Sequence, residues 1–156
     1  MAKRAAVVFI LIAAFFGLAD SAYLAQHEIN GTPLLCNIQN LAGCNVVAQS
    51  PYSHLFGIPL SEYGILFYGL VFALAAFELV IFDRLLRRAL QALALFGLAS
   101  SLYFTALQVF VINALCIYCM ASALLAIIIF LLAFFIEPVR RSLAHGERRF
   151  AMPPLA

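Results

Sequence analysis

Cys116-Ile117-Tyr118-Cys119 places two thiols three residues apart at the opening of a long apolar run. On a helix that spacing puts both sulfurs on one face, within reach of a disulfide. Asn113 reads as an N-cap, which makes Cys116 the third helical residue. Free amides and the positive end of the helix dipole favour a thiolate there. Cys119 sits a turn deeper, closer to lipid-soluble reactants.

The other two cysteines, Cys36 and Cys44, lie eight apart in the only long polar segment. Their spacing suits a reversible disulfide on a loop that can swing between an external thiol protein and the inner pair. Thiolate attack through mixed disulfides is the chemistry of such a relay. Other readings are two static disulfides, a four-cysteine zinc site, or isolated buried thiols. A Cys-x-x-Cys on one helix staples little that the helix does not already hold, and a closed zinc–thiolate site has no evident purpose there. We therefore expect a redox relay and no metal.

The elements that must position these thiols are membrane helices. Of 156 residues, 66% are hydrophobic and 10% charged, with mean hydropathy +1.06. Soluble domains run about 45–50% apolar and about 25% charged. Four apolar runs, near 5–25, 63–82, 89–112 and 114–136, are long enough to span a bilayer. All must be helical, because lipid offers backbone groups no partners. The expected fold is one all-α domain over 1–156: a four-helix membrane bundle with a lid loop at about 26–62 and a tail at about 137–156. Lys3, Arg4, Arg84, Arg87, Arg88, Arg140, Arg141, Arg148 and Arg149 fall on one side of this arrangement. That clustering predicts cytoplasmic termini, with all the cysteines at the outer face. It gives no nucleic-acid surface. Met1–Arg4 and the following apolar run also resemble a signal peptide, with Gly17-Leu18-Ala19 as a cleavage site. Apolar character continuing through Tyr23-Leu24-Ala25 favours an uncleaved span.

Asp20 falls in the outer third of the first span and Glu78 near the cytoplasmic end of the second. An ionisable group in a span is a functional candidate; the plainer reading is a polar side chain that finds a partner inside the bundle. His27 and His54 read as interfacial polar residues. In the loop, Asn30-Gly31-Thr32-Pro33 reads as a turn, 41–47 as a short helix or turn carrying Cys44, and Phe56-Gly57-Ile58-Pro59-Leu60 as the return to the membrane. Leu34, Leu35, Ile38, Leu41, Val46, Val47, Leu55, Phe56 and Ile58 are too many apolar residues for a solvated loop, so it should lie over the bundle. Tyr63, Phe67, Tyr103, Phe104, Phe110 and Tyr118 near the outer ends could line a flat-ring pocket. A two-electron relay needs an acceptor, and with no haem, flavin or iron–sulfur signature a lipid-soluble quinone is left by elimination.

Cys36-x7-Cys44, Ser50-Pro51, Phe56-Gly57-Ile58-Pro59-Leu60 and then Cys116-Ile117-Tyr118-Cys119 on the last helix resemble the vitamin K epoxide reductase family, from about Leu18 to Phe135. The resemblance implies a four-helix bundle around a quinone of ubiquinone or menaquinone type, capped by the loop. By that analogy Cys119 reacts with quinone, Cys116 forms a transient disulfide with Cys44, and Cys36 exchanges with the external partner. Ser50 matches the family's loop serine and helps position the ring, with Tyr63, Phe67 and Phe104 as candidate pocket residues. Microbial members oxidise a secreted thioredoxin-like protein of DsbA type, here expected to be a separate chain facing the outside of the plasma membrane. Animal members carry an asparagine and a tyrosine where this chain has Leu60 and Ala123. This favours plain quinone reduction over reduction of a vitamin K-type epoxide. A non-enzymatic membrane protein with two fixed disulfides is the rival class. The DsbB type of oxidase places its Cys-x-x-Cys in the first external loop, opposite to the order here.

Overall fold

The computed structural model describes residues 2–34, 43–81 and 83–136. Helix α1 spans Ala2–Asn30, a short α2 spans Cys44–Ala48, and α3 spans Leu60–Val80. Helix α4 spans Arg84–Leu107, runs into a π-helical turn at Gln108–Ile112, and is followed by α5, Ile117–Ile136. Four of these helices are long and apolar enough to cross a membrane. The expected spans begin at 63, 89 and 114; the helices begin at Leu60, Arg84 and Ile117. Pro59 caps α3 at φ −57°, a value its ring imposes. Asp83 starts α4 by accepting the Leu85 N–H at 3.3 Å, one of the orphan donors of a helix start.

Each long helix packs against two others: α1 against α3 and α5, and α4 against the same two. Residues three, four or seven apart share a helix face. The buried positions follow that spacing: Ile10, Ala13, Ala14 and Gly17 on α1, and Tyr68, Val71, Ala75 and Glu78 on α3. Leu90, Ala94 and Gly97 do so on α4, and Ala126, Ile129 and Ala133 on α5. Phe9, Phe15 and Phe16 point outward, as lipid-facing residues must. Lipid tails give helices no hydrophobic drive to associate, so close approach through small residues carries the packing. Gly17 lies under the Tyr68 ring, Gly97 under Phe67, and Gly64 against the Ser21 hydroxyl. At the end of the bundle remote from the cysteines, Arg87 Nε donates to Glu78 Oε1, joining α3 to α4.

Between α2 and α3 the chain makes a two-stranded hairpin, β1 (His54–Leu55) with β2 (Ile58–Pro59). Phe56 and Gly57 form its turn at φ 55° and 81°, the paired positive values that suit a two-residue hairpin. This corrects one expectation. Leu34 is buried and Val47 packs beside it, but Val46, Leu55, Phe56 and Ile58 are exposed, Phe56 at 93%. A turn this tight throws its tip side chain away from the body. Leu35, Ile38 and Leu41 lie outside the described residues.

Candidate active site

The connection from α4 to α5 builds the site. Asn113 takes a left-handed conformation, φ 53° and ψ 32°, and closes the π-helical turn; asparagine tolerates that region better than most residues. It is therefore the C-cap of the preceding helix, not the N-cap of α5, which corrects the register expected from sequence. Cys116 takes the N-cap place instead, immediately before α5, with its carbonyl accepting the Met120 N–H at 3.0 Å. Its sulfur lies where the Tyr118 and Cys119 amides donate. The expected interaction of a thiolate with the helix start is thus made from the cap itself.

Cys116 is 2% exposed and flanked by Cys119. The Cys119 S–H, and after it the backbone amides of Cys119 and Tyr118, bring the Cys116 thiol down to about 7 against the opposing effect of burial. A hydrogen bond to the charged form favours it. Both cysteines are free thiols, whereas Cys44 is disulfide-bonded. Cys36 lies outside the described residues.

The loop brings Cys44 to this pair. Cys44 is 0% exposed and forms with Cys116 and Leu34 a buried cluster of its own, with Tyr23, Leu24, Val47, Ala48, Ile117, Tyr118 and Cys119 packed around it. Gly43 N–H donates to the Leu115 carbonyl at 3.2 Å, which fixes α2 on the turn before Cys116. Asn45 Oδ1 accepts the Leu34 N–H at 2.9 Å, holding the two ends of the loop segment together. A disulfide sulfur and a thiol with thiolate character therefore share one dry cluster.

The expected pocket residues Ser50, Tyr63, Phe67 and Phe104 are not among the side chains packed in this cluster. Ser50 donates its hydroxyl to the Val47 carbonyl at 2.7 Å, closing the end of α2. Tyr63 O–H donates to the Leu55 carbonyl at 3.2 Å, tying α3 to the hairpin. Phe67 belongs to the main core, edge-to-face with Tyr68 at 5.0 Å. Phe104 is half-buried, edge-to-face with Tyr103 at 5.2 Å. His27 pairs with Thr32 at 2.8 Å and lies 4.4 Å from the Tyr23 ring, while His54 Nε2 is 3.3 Å from Glu28, whose other oxygen accepts from Ser61 at 3.0 Å.

Two neighbours of the thiols were not singled out from sequence. Tyr23 stacks against Tyr118 with centroids 5.1 Å apart. Gln108 is 4% exposed; its Oε1 accepts the Cys116 N–H and its carbonyl accepts the Ala114 N–H, each at 3.2 Å. A glutamine in an apolar run eight residues before a Cys-x-x-Cys was the available signal, because a polar group in a span needs a partner.

The vitamin K epoxide reductase family model matches residues 8–134, which takes in Cys36, Cys44, Cys116 and Cys119. The chain is also 32% identical, over 123 residues, to the thiol-disulfide oxidoreductase LTO1 of Arabidopsis thaliana. The match covers 74% of this chain and 32% of that protein, so the chain spans about a third of the relative's length. With most of its length matched and its second cysteine pair held beside the disulfide-bonded Cys44, this chain belongs to the vitamin K epoxide reductase family.

Proposed function

We propose that this protein is a membrane thiol:quinone oxidoreductase that forms disulfides on the cysteine side of the bilayer. The observation that carries the reading is the buried contact cluster of disulfide-bonded Cys44 with Cys116, a thiol lowered to about 7. An exchanging thiol works best with its pKa near ambient pH. Electrons enter from a thioredoxin-like partner at Cys36. Cys44 thiolate attacks Cys116 Sγ and expels Cys119; Cys36 then attacks Cys44 and releases Cys116. The arrangement of free Cys116 and Cys119 beside bonded Cys44 corresponds to the point after this exchange, with two electrons waiting on the inner pair. The acceptor is a quinone approaching Cys119 from the lipid, its ring near Ser50, Tyr63, Phe67 and Phe104. The cysteine end faces outside the cytoplasm of the plasma membrane, because Arg84, Arg87 and Arg88 lie at the opposite end of the bundle.

The test uses the full chain in detergent with dithiothreitol as donor and a short-tailed ubiquinone or menaquinone analogue as acceptor, followed by absorbance. Turnover by the native chain, abolished in Cys119→Ala, is expected. Absence of turnover with either quinone, with all thiols locked in two inert disulfides, would replace this reading with the static one.

A further inference from the structure

Asp20 is a carboxylate in a membrane span without an evident structural task. Its Oδ2 is buried and has no hydrogen-bond partner among the described residues. No Lys or Arg occurs from residue 5 to 83 or from 89 to 139, so the surrounding stretches of α1, α3 and α5 supply no counter-ion. An unpaired carboxylate at such a position is costly and an apolar residue would pack better.

Its surroundings say what it is next to. On α1, Gly17, Asp20, Tyr23 and Leu24 fall on one face by their spacing of three and four. Gly17 lies under Tyr68, whose O–H bonds to the Ser122 carbonyl on α5 at 2.7 Å. One turn on, Tyr23 stacks on Tyr118 of α5. Asp20 is therefore bracketed by the Tyr68–Ser122 and Tyr23–Tyr118 pairs, and Cys119 lies between Tyr118 and Ser122 on the facing helix. Titratable groups within range of the Asp20 charge include Tyr68 from α3 and Cys116, Tyr118 and Cys119 from α5 and its cap.

We propose that Asp20 is the proton carrier for Cys119. When attack at Cys116 opens the inner disulfide, Cys119 leaves with the electron pair of the S–S bond, and the Asp20 carboxyl supplies its proton. When Cys119 later gives up electrons, its S–H bond breaks and the Asp20 carboxylate takes the proton back. Over that step the two thiols lose two electrons and two protons and become a disulfide. The quinone gains both electrons and both protons, one of them by way of Asp20, and a proton released by the donor dithiol on its oxidation returns Asp20 to the carboxyl form. The destination of that proton rests on the quinone reading; the coupling of Asp20 to the thiols does not.

The experiment compares the full chain with Asp20→Asn, Asp20→Leu and Asp20→Glu in two assays. One is quinone turnover driven by dithiothreitol. The other is the pH profile of alkylation of Cys116 and Cys119 in reduced protein, resolved by mass spectrometry. Removing a negative charge beside a forming thiolate should speed alkylation severalfold at a given pH, while turnover falls about a hundredfold or more, the usual contribution of a positioned proton-transfer group. Asp20→Glu should recover both, and Asp20→Leu should be no less heat-stable than the native chain. A general folding defect would also expose Cys116, but it would move the alkylation midpoint up toward that of an unperturbed thiol and lower heat stability. Turnover within threefold of native in both Asn and Leu variants, or an unchanged alkylation profile, overturns the assignment. If the native chain turns over no quinone, the quinone reading falls alone, and the alkylation profile still decides the coupling.

Discussion

Gly43 is the point at which a single methyl group should disconnect the two cysteine pairs. A Cβ there would sit 2.8 Å from Ala114 Cβ, 2.9 Å from Leu115 N and 3.0 Å from Leu115 O. Carbon atoms prefer about 3.5–4.0 Å, and two of the three opposing atoms are backbone, which cannot swing aside. Overpacking of this kind costs about 1–3 kcal/mol. Moving α2 away also breaks the Gly43–Leu115 hydrogen bond, worth about 1 kcal/mol. The docked arrangement of Cys44 on Cys116 therefore loses about 2–4 kcal/mol, which at about 1.4 kcal/mol per decade is about 30-fold to about 700-fold in population. The assay uses a Cys119→Ala background, where Cys116 attacking Cys44 is trapped as a mixed disulfide that mass spectrometry counts over time. Gly43→Ala should slow its appearance at least about 30-fold, by the same conversion. Gly69→Ala, on the α3 helix with nothing within 4 Å of the added carbon, is the control and should leave the rate alone. A Gly43→Ala rate within threefold of its parent would refute the claim that this contact docks the loop.

The Cys116 thiol, lowered to about 7, should alkylate half-maximally near pH 7 and lose reactivity as pH falls below that point. Cys119→Ala removes the largest cause and should move the profile to higher pH. Gln108→Leu leaves the buried Cys116 N–H without its acceptor, costing about 1–3 kcal/mol of stability; Gln108→Glu, which keeps an acceptor, should lose less heat stability in detergent. Arg87→Leu strands the buried Glu78 carboxylate and should cost about 3–5 kcal/mol, whereas Glu78→Met with Arg87→Leu should be near neutral. A double-mutant cycle showing the two single effects to be additive would refute that pairing.

The four helices were legible because the constraint that makes them acts along the chain: an apolar run in lipid has no choice but to satisfy its own backbone. Asn30-Gly31 announced a turn for the same local reason, whereas Phe56-Gly57 was legible only as the return to the membrane and not as a hairpin turn. The pairing of residues three apart was legible too, since Cys116 and Cys119 are close on any helical path. What spacing could not decide was the register at Asn113. Asn is both a common N-cap and a tolerated left-handed residue, and only the packing of α4 and α5 selected the second role, which made Cys116 the cap. Nor could it find the contacts that cross between elements: Gly43 against Leu115, Tyr23 against Tyr118, and Gly17 under Tyr68. Each joins residues distant in sequence, and hydropathy does not encode which face of one helix meets which face of the next. The chain itself determined that thiols would stand at one end of a membrane bundle; the tertiary structure decided that Cys44 would be sealed against Cys116, because only close packing of the loop on the α4–α5 turn excludes water from both.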